Sequence, residues 1–244
     1  MYVIVGASSG VGRAIAEVFA AKGCDLLLVS REVRDISAVA SDLMLRFGVS
    51  AKAVALDLGA PQPDFSEILD DVRNCGERFE GLLLPAGTSS DTDTLDIDTS
   101  AIEGLLRVNY MSLCVLINEI LRVLRIATIV TIVGFGSVAS IRGRGTNMIY
   151  SSAKMAMRFY FESLRHACVG KKVIAQFYVL GYMDTNLAFA HNLSLPKGAP
   201  GELAQRVYRD IRKDIGVRYF PRYWLIIAMI VRLIPWSVYK HLKF

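Results

Sequence analysis

The chain has 244 residues, 53% hydrophobic and 21% charged, which suits one large domain with a sizeable core and excludes a disordered chain. Cys24, Cys75, Cys114 and Cys168 stand far apart with no C-x-x-C, and there are three histidines, which argues against a zinc cage, a disulfide framework or a multi-histidine metal site. The net charge of +5 gathers at one end: residues 204–244 hold nine basic and two acidic side chains, while the body holds nineteen and twenty-one and has no basic stripe for nucleic acid.

Residues 2–5 form an apolar run that predicts a first strand, with no room before it for a signal peptide. The run ends in Gly6-Ala7-Ser8-Ser9-Gly10-Val11-Gly12. Residues 13–22 then carry helical spacing (Ile15, Val18, Phe19), and Gly23 closes the helix. Further strands are expected at 26–29, 53–56, 81–84, 127–133 and 173–180. Helices are expected between them, at 36–47, 65–75, 102–124 and 150–168.

The strands are continuous apolar runs, the mark of a parallel sheet covered on both faces. The expected fold is therefore α/β, a Rossmann-like doubly wound parallel sheet in a single domain. Residues 1–203 would form the catalytic domain with a substrate lid at 183–201, and 204–244 a hydrophobic, basic helical extension. No stretch of about twenty uninterrupted apolar residues is present to span a bilayer. A cytoplasmic compartment is expected.

Bare backbone at Gly6, Gly10 and Gly12 lets a pyrophosphate approach a helix N-terminus. The second strand ends in Ser30-Arg31, where an acidic residue would grip a ribose 2′-hydroxyl. Arg31 can instead pair with a 2′-phosphate, with Ser30 as a second donor, which favours NADPH. Asp57, ending the third strand, is placed either for the adenine amine or as a helix cap.

Tyr150 and Lys154 lie four apart on one helical face. A free tyrosine titrates near 10, too high for acid–base work at neutral pH, and a nearby ammonium lowers that value. The pair can thus exchange a proton with an alcohol or carbonyl oxygen. Ser137 lies thirteen residues upstream, in Gly134-Phe135-Gly136-Ser137, and Asn109 sits within the long helix.

With the glycine turn in register, this constellation resembles the short-chain dehydrogenase/reductase family from residue 2 to about 185. The resemblance implies that Tyr150 is the catalytic acid/base and that Lys154 holds the nicotinamide ribose and depresses the tyrosine pKa. Ser137 would bind the substrate oxygen, and Asn109 would hold a water linking Lys154 to solvent. It further implies cofactor contacts from Gly6, Ser8, Ser9, Gly10, Val11, Gly12, Ser30, Arg31, Asp57, Leu58, Ala86, Gly87, Asn109, Tyr150, Lys154, Gly181 and Thr185, and a homodimer or homotetramer through helices 102–124 and 150–168. Two departures from the family pattern stand out. Val5 replaces a threonine, and Leu84-Pro85 replaces Asn-Asn before Ala86-Gly87, so hydrogen-bonding groups are lost near the cofactor.

Beyond the sixth strand, residues 187–200 mix Leu187, Phe189, Leu193 and Leu195 with His191 and Lys197, as a mobile flap would. Between Ser137 and Tyr150, Arg142 and Arg144 are flanked by glycines; they could grip a substrate phosphate, face solvent or meet a second subunit. Residues 219–244 hold seven aromatics, and 224–234 (WLIIAMIVRLI) is apolar nearly all round. Such a helix reaches about 18 Å, short of a bilayer core of about 30 Å. It suits either a membrane interface, with cations at its rim, or burial against the body. The stretches 219–222 and 233–236 resemble tails of reductases acting on lipid-linked sugars, such as decaprenylphosphoryl-2-keto-ribose reductases.

The reading is an NADPH-dependent ketoreductase of a large amphipathic carbonyl compound, lipid-linked or a nucleotide keto-sugar, peripheral on the inner face of the membrane. A catalytically silent NADPH-binding regulator and a sugar epimerase are the alternatives.

Overall fold

The computed structural model describes residues 1–124, 127–185 and 197–242. Seven strands run parallel in one sheet: β1 (Tyr2–Val5), β2 (Leu26–Ser30), β3 (Ala51–Ala55), β4 (Gly81–Leu84), β5 (Val130–Ser137), β6 (Val173–Leu180) and β7 (Val217–Phe220). Their spatial order is β3-β2-β1-β4-β5-β6-β7.

Alternate residues of a strand face opposite sides, and here both sides are apolar. Tyr2 and Ile4 join a core with α1 (Gly10–Ala20), α2 (Val33–Phe47) and α7 (Pro200–Asp210). Val3 and Val5 join the other, with α3 (Ser66–Cys75), α5 (Ser112–Val123) and α6 (Met148–Ala167). That double burial explains the uninterrupted apolar runs. The strand order reverses between β1 and β4, and a crevice opens there beyond the strands' carboxyl ends.

The long helix arrives as α4 (Thr99–Leu106), a π turn (Arg107–Met111) and α5, continuous over Thr99–Val123. By length and composition this helix could cross a membrane, which the search for uninterrupted apolar runs does not detect. Here Leu113, Leu116, Ile117 and Ile120 bury one of its faces in the core. β5 starts and ends later than expected, because β6 pairs with it from Val130↔Val173 through Ser137↔Leu180. Pairing thus overrides the weak strand preference of Gly134 and Gly136.

The expected helical extension needs correction. Residue 204 falls inside α7, and Val217–Phe220 is a strand that pairs with β6 from Phe177↔Val217 to Leu180↔Phe220. Four residues with an arginine among them give too little periodicity to announce an edge strand. Only beyond Phe220 does the chain leave the sheet, as α8 (Trp224–Leu233) and α9 (Trp236–Tyr239).

α8 docks by a narrow face. Trp224 and Ala228 are buried, while Leu225, Ile226, Met229, Ile230 and Leu233 are exposed. Trp224 lies so close to Gly181 that a Cβ there would stand 1.9 Å from the indole Nε1. Trp224→Ala is expected to cost about 3 kcal/mol or more of stability, and Ile226→Ser on the open face less than about 0.5. Denaturant midpoints check both; equal losses would contradict this docking.

Candidate active site

Each candidate residue sits just past a strand, or on a helix or loop beside the strand ends. The glycine turn follows β1, Ser30-Arg31 closes β2, and Asp57-Leu58 follows β3. Ala86-Gly87 follows β4, Ser137 ends β5 and Gly181 follows β6. Together with Tyr150, Lys154 and Thr185 they line one cleft of about 750 Å³. Asn109 stands behind its wall, fully buried.

At the dinucleotide end the floor is backbone. A Cβ on Gly12 would stand 1.9 Å from the Gly6 carbonyl oxygen, so α1 can enter this close to β1 only with glycine there. Ser9, the N-cap, makes no side-chain cap bond, and the first turn holds no acid. The amides of Gly10, Val11 and their neighbours therefore face the cleft as free donors with the helix dipole behind them. Thr185 closes over this turn, its Cγ2 3.2 Å from where a Gly10 Cβ would be.

Ser30 Oγ donates to Ser8 Oγ at 2.8 Å, which spends the Ser30 proton and leaves the Ser8 proton for the cleft. Arg31 is 71% exposed, and its bond to Glu32 (3.0 Å) is of the kind worth little in water. The guanidinium is free to turn inward. Asp57 Oδ1 accepts from the Gly59 amide at 2.8 Å, a local turn rather than a helix cap. Among the substituted positions, Val5 is buried with its carbonyl accepting from Ala86 N at 2.9 Å, and Pro85 lines the cleft.

At the other end Tyr150, Ser137 and Lys154 converge. The Ser137 hydroxyl is within hydrogen-bonding reach of the Tyr150 phenol. Lys154 is 5% exposed, and among the described residues its ammonium has two long hydrogen bonds, to the carbonyls of Ala86 and Phe135 at 3.4 Å each. Asn109, in the π turn, donates to the carbonyls of Thr88 (2.8 Å) and Leu105 (3.0 Å) and accepts from Thr88 N (3.3 Å). It pins the segment after β4 beside Lys154: a Cβ on Gly87 would stand 2.9 Å from Lys154 Nζ and 3.0 Å from Asn109 Oδ1.

Burial raises the Tyr150 pKa, opposed by the Ser137 hydroxyl and the Arg144 guanidinium. The expected depression would come from Lys154, one turn along the helix. Its ammonium lies 5.9 Å from the Tyr150 ring centre, and burial lowers its own pKa to about 8.

One contributor escapes a reading of the sequence. Asp93, buried, accepts from the amides of Ile149 (2.9 Å) and Tyr150 (2.8 Å), capping α6 from a distant loop and fixing the tyrosine. The two loop arginines part company. Arg142 donates to the carbonyls of Val231 (2.8 Å) and Ile234 at the end of α8 and lies 3.9 Å from the Tyr239 ring centre, so its place as a phosphate grip is overturned. Arg144 lines the cleft. Of the expected lid, residues 186–196, with Leu187, Phe189, His191, Leu193 and Leu195, lie outside the described residues.

The uncapped helix N-terminus, the bare glycine floor and a buried ammonium with no carboxylate partner among the described residues fit a nicotinamide dinucleotide. Comparison with known proteins agrees. The short chain dehydrogenase family model matches residues 1–194. The very-long-chain 3-oxoacyl-CoA reductase of Bos taurus is 24% identical over 98% of this chain and 77% of its own length. Hydroxysteroid 11-beta-dehydrogenase 1-like protein B of Xenopus laevis is 26% identical over 91% and 77%. A short-chain dehydrogenase from Sphingobium yanoikuyae, solved in complex with NADPH, superposes with a TM-score of 0.82 at 23% identity, covering 99% and 96% of the two chains.

Because the Lys154 ammonium is held below its ordinary value, the unfolded chain binds the extra proton between pH 8 and about 10.5, and stability gains from this site as pH rises through that window. Lys154→Met is expected to be the more stable protein at pH 7, by a margin that shrinks toward pH 10. Urea unfolding at several pH values checks this; a constant margin would contradict it.

Proposed function

The chain belongs to the short-chain dehydrogenase family, and from that premise we propose that it is an NADPH-dependent ketoreductase of a large amphipathic carbonyl compound at a membrane surface. Oxidoreduction of a carbonyl with a nicotinamide cofactor is the family's activity. The convergence of Tyr150, Ser137 and buried Lys154 in one cleft carries the reading to these residues.

NADPH, when bound, supplies the hydride. Ser8 and the free amides of α1 would hold its pyrophosphate, and Arg31 its 2′-phosphate. Lys154 would take the nicotinamide ribose hydroxyls, replacing two long carbonyl contacts by short ones. Tyr150 gives its phenolic proton to the substrate's carbonyl oxygen, which Ser137 steadies by a hydrogen bond. Asn109 Oδ1, on the Gly87 side, receives the water that returns a proton through Lys154.

The substrate class rests on the tail and the relatives. Leu225, Ile226, Met229, Ile230, Leu233 and Trp236 make an open apolar face, and Arg222, Arg232 and Lys240 are exposed beside it. That is the composition of an interfacial helix drawn to anionic lipid. Long-chain 3-oxoacyl thioesters, as in the bovine relative's name, and lipid-linked or nucleotide keto-sugars both meet this requirement. Four free thiols suit the reducing, inner face of a membrane. The exposed Phe159, with Met155 and Tyr110 beside a shallow groove between the central helices, suits pairing of two copies.

Two experiments test this. With NADPH and a long-chain 3-oxoacyl-CoA, Tyr150→Phe is expected to lower kcat by about 10²-fold or more while NADPH still binds; undiminished turnover would remove Tyr150 from the chemistry. Sedimentation with vesicles containing anionic phospholipid is expected to carry down the wild type but not the Ile226→Asp, Ile230→Asp double variant. Equal behaviour of the two would remove the membrane from the proposal.

A further inference from the structure

Among the described residues Arg144 has no counter-ion. Its Nε is buried and makes no hydrogen bond, and no carboxylate lies within 4 Å of the guanidinium among the described residues. The side chain lines the cleft with Tyr150 and Ser137, and its charge acts on the Tyr150 phenol.

Its position is also held. Two residues earlier, Arg142 is tied to the end of α8, and between them the Gly143 carbonyl accepts from the Tyr239 hydroxyl at 2.9 Å. Two arginines in one glycine-flanked loop thus have opposite surroundings. One is consumed by the tail, and the other is left unpaired beside the proton donor. A buried guanidinium N–H without an acceptor is an incomplete site, and the partner that completes it most strongly is an oxyanion.

We propose that Arg144 is a specificity residue that takes an oxyanion of the substrate, a carboxylate or a phosphate, carried close to the carbonyl that is reduced. This rests on the reductase reading and narrows it: the amphipathic substrate is negatively charged at its reactive end, and the apolar remainder extends away from Arg144. The anion belongs to the substrate and not to the cofactor, whose phosphates have the α1 amides and Arg31 at the opposite end of the cleft.

Dead-end ligands of one chain length separate the possibilities. Octanoate, octyl phosphate and neutral octanamide would be titrated calorimetrically into the wild type, Arg144→Gln and Arg144→Lys, each with and without NADPH. The expected result is that at least one of the two anions binds the wild type tenfold or more tighter than octanamide. Arg144→Gln should abolish that preference and Arg144→Lys retain part of it, with NADPH affinity within twofold throughout. Octanoate against octyl phosphate tells which oxyanion the site takes. An anion preference absent from the wild type, or intact in Arg144→Gln, would overturn the proposal. So would a tenfold loss of NADPH affinity in Arg144→Gln, since the arginine would then serve the cofactor. Failure of the wild type to bind NADPH would count against the reductase reading, and the titrations without NADPH would still decide the role of Arg144.

Discussion

A lysine ammonium at 5% exposure, with two carbonyls at 3.4 Å and no carboxylate partner among the described residues, is the constraint around which this molecule is organised. Burial alone brings its pKa down to about 8. Such a group persists only where the surroundings are over-determined. Here the pinning comes from Asn109 in its π turn, from Asp93 capping α6, and from β4 and β5, whose ends present the two carbonyls. Each of these brings a distant segment to the same few ångströms. Ligand oxygens that took the place of the long contacts, as proposed, would offset the cost and link the stability of this corner to its ligand.

The second organising feature is the tie between the tail and the catalytic loop. Trp224 seats the start of α8 against Gly181, while Arg142 holds its end, and Tyr239 in α9 the following turn, to the segment between Ser137 and Tyr150. Both sides of the substrate half of the cleft are thus fastened to the tail, and the other face of α8 is open and apolar. A surface that engages that face acts on an element already bonded to the active-site loop.

Much of this was legible in the sequence. β1, β4 and β6 fall on the expected residues and β2 within one, because double burial writes itself as unbroken apolar runs. The glycine turn and the Tyr150–Lys154 spacing are local patterns, and local patterns survive in a linear reading. What was illegible depends on contacts between remote segments. Asp93 and Tyr150 lie 57 residues apart, and Arg142 and Val231 lie 89 apart. Nothing in the loop itself says which arginine the tail will claim. β7 is equally silent, since its strand character comes from β6 beside it. The electrostatics of Tyr150 also follow three-dimensional proximity, so the Arg144 guanidinium, six residues back in a loop, acts on its phenol.

The most direct test of the account is the choice of cofactor, read by nicotinamide fluorescence as NADPH and NADH are titrated into the wild type and Arg31→Ala. The account predicts that the wild type binds NADPH well ahead of NADH, and that Arg31→Ala weakens NADPH to the level of NADH without moving NADH itself. Binding of neither nucleotide by the wild type would contradict it, and would leave the buried ammonium and the uncapped helix without their ligand.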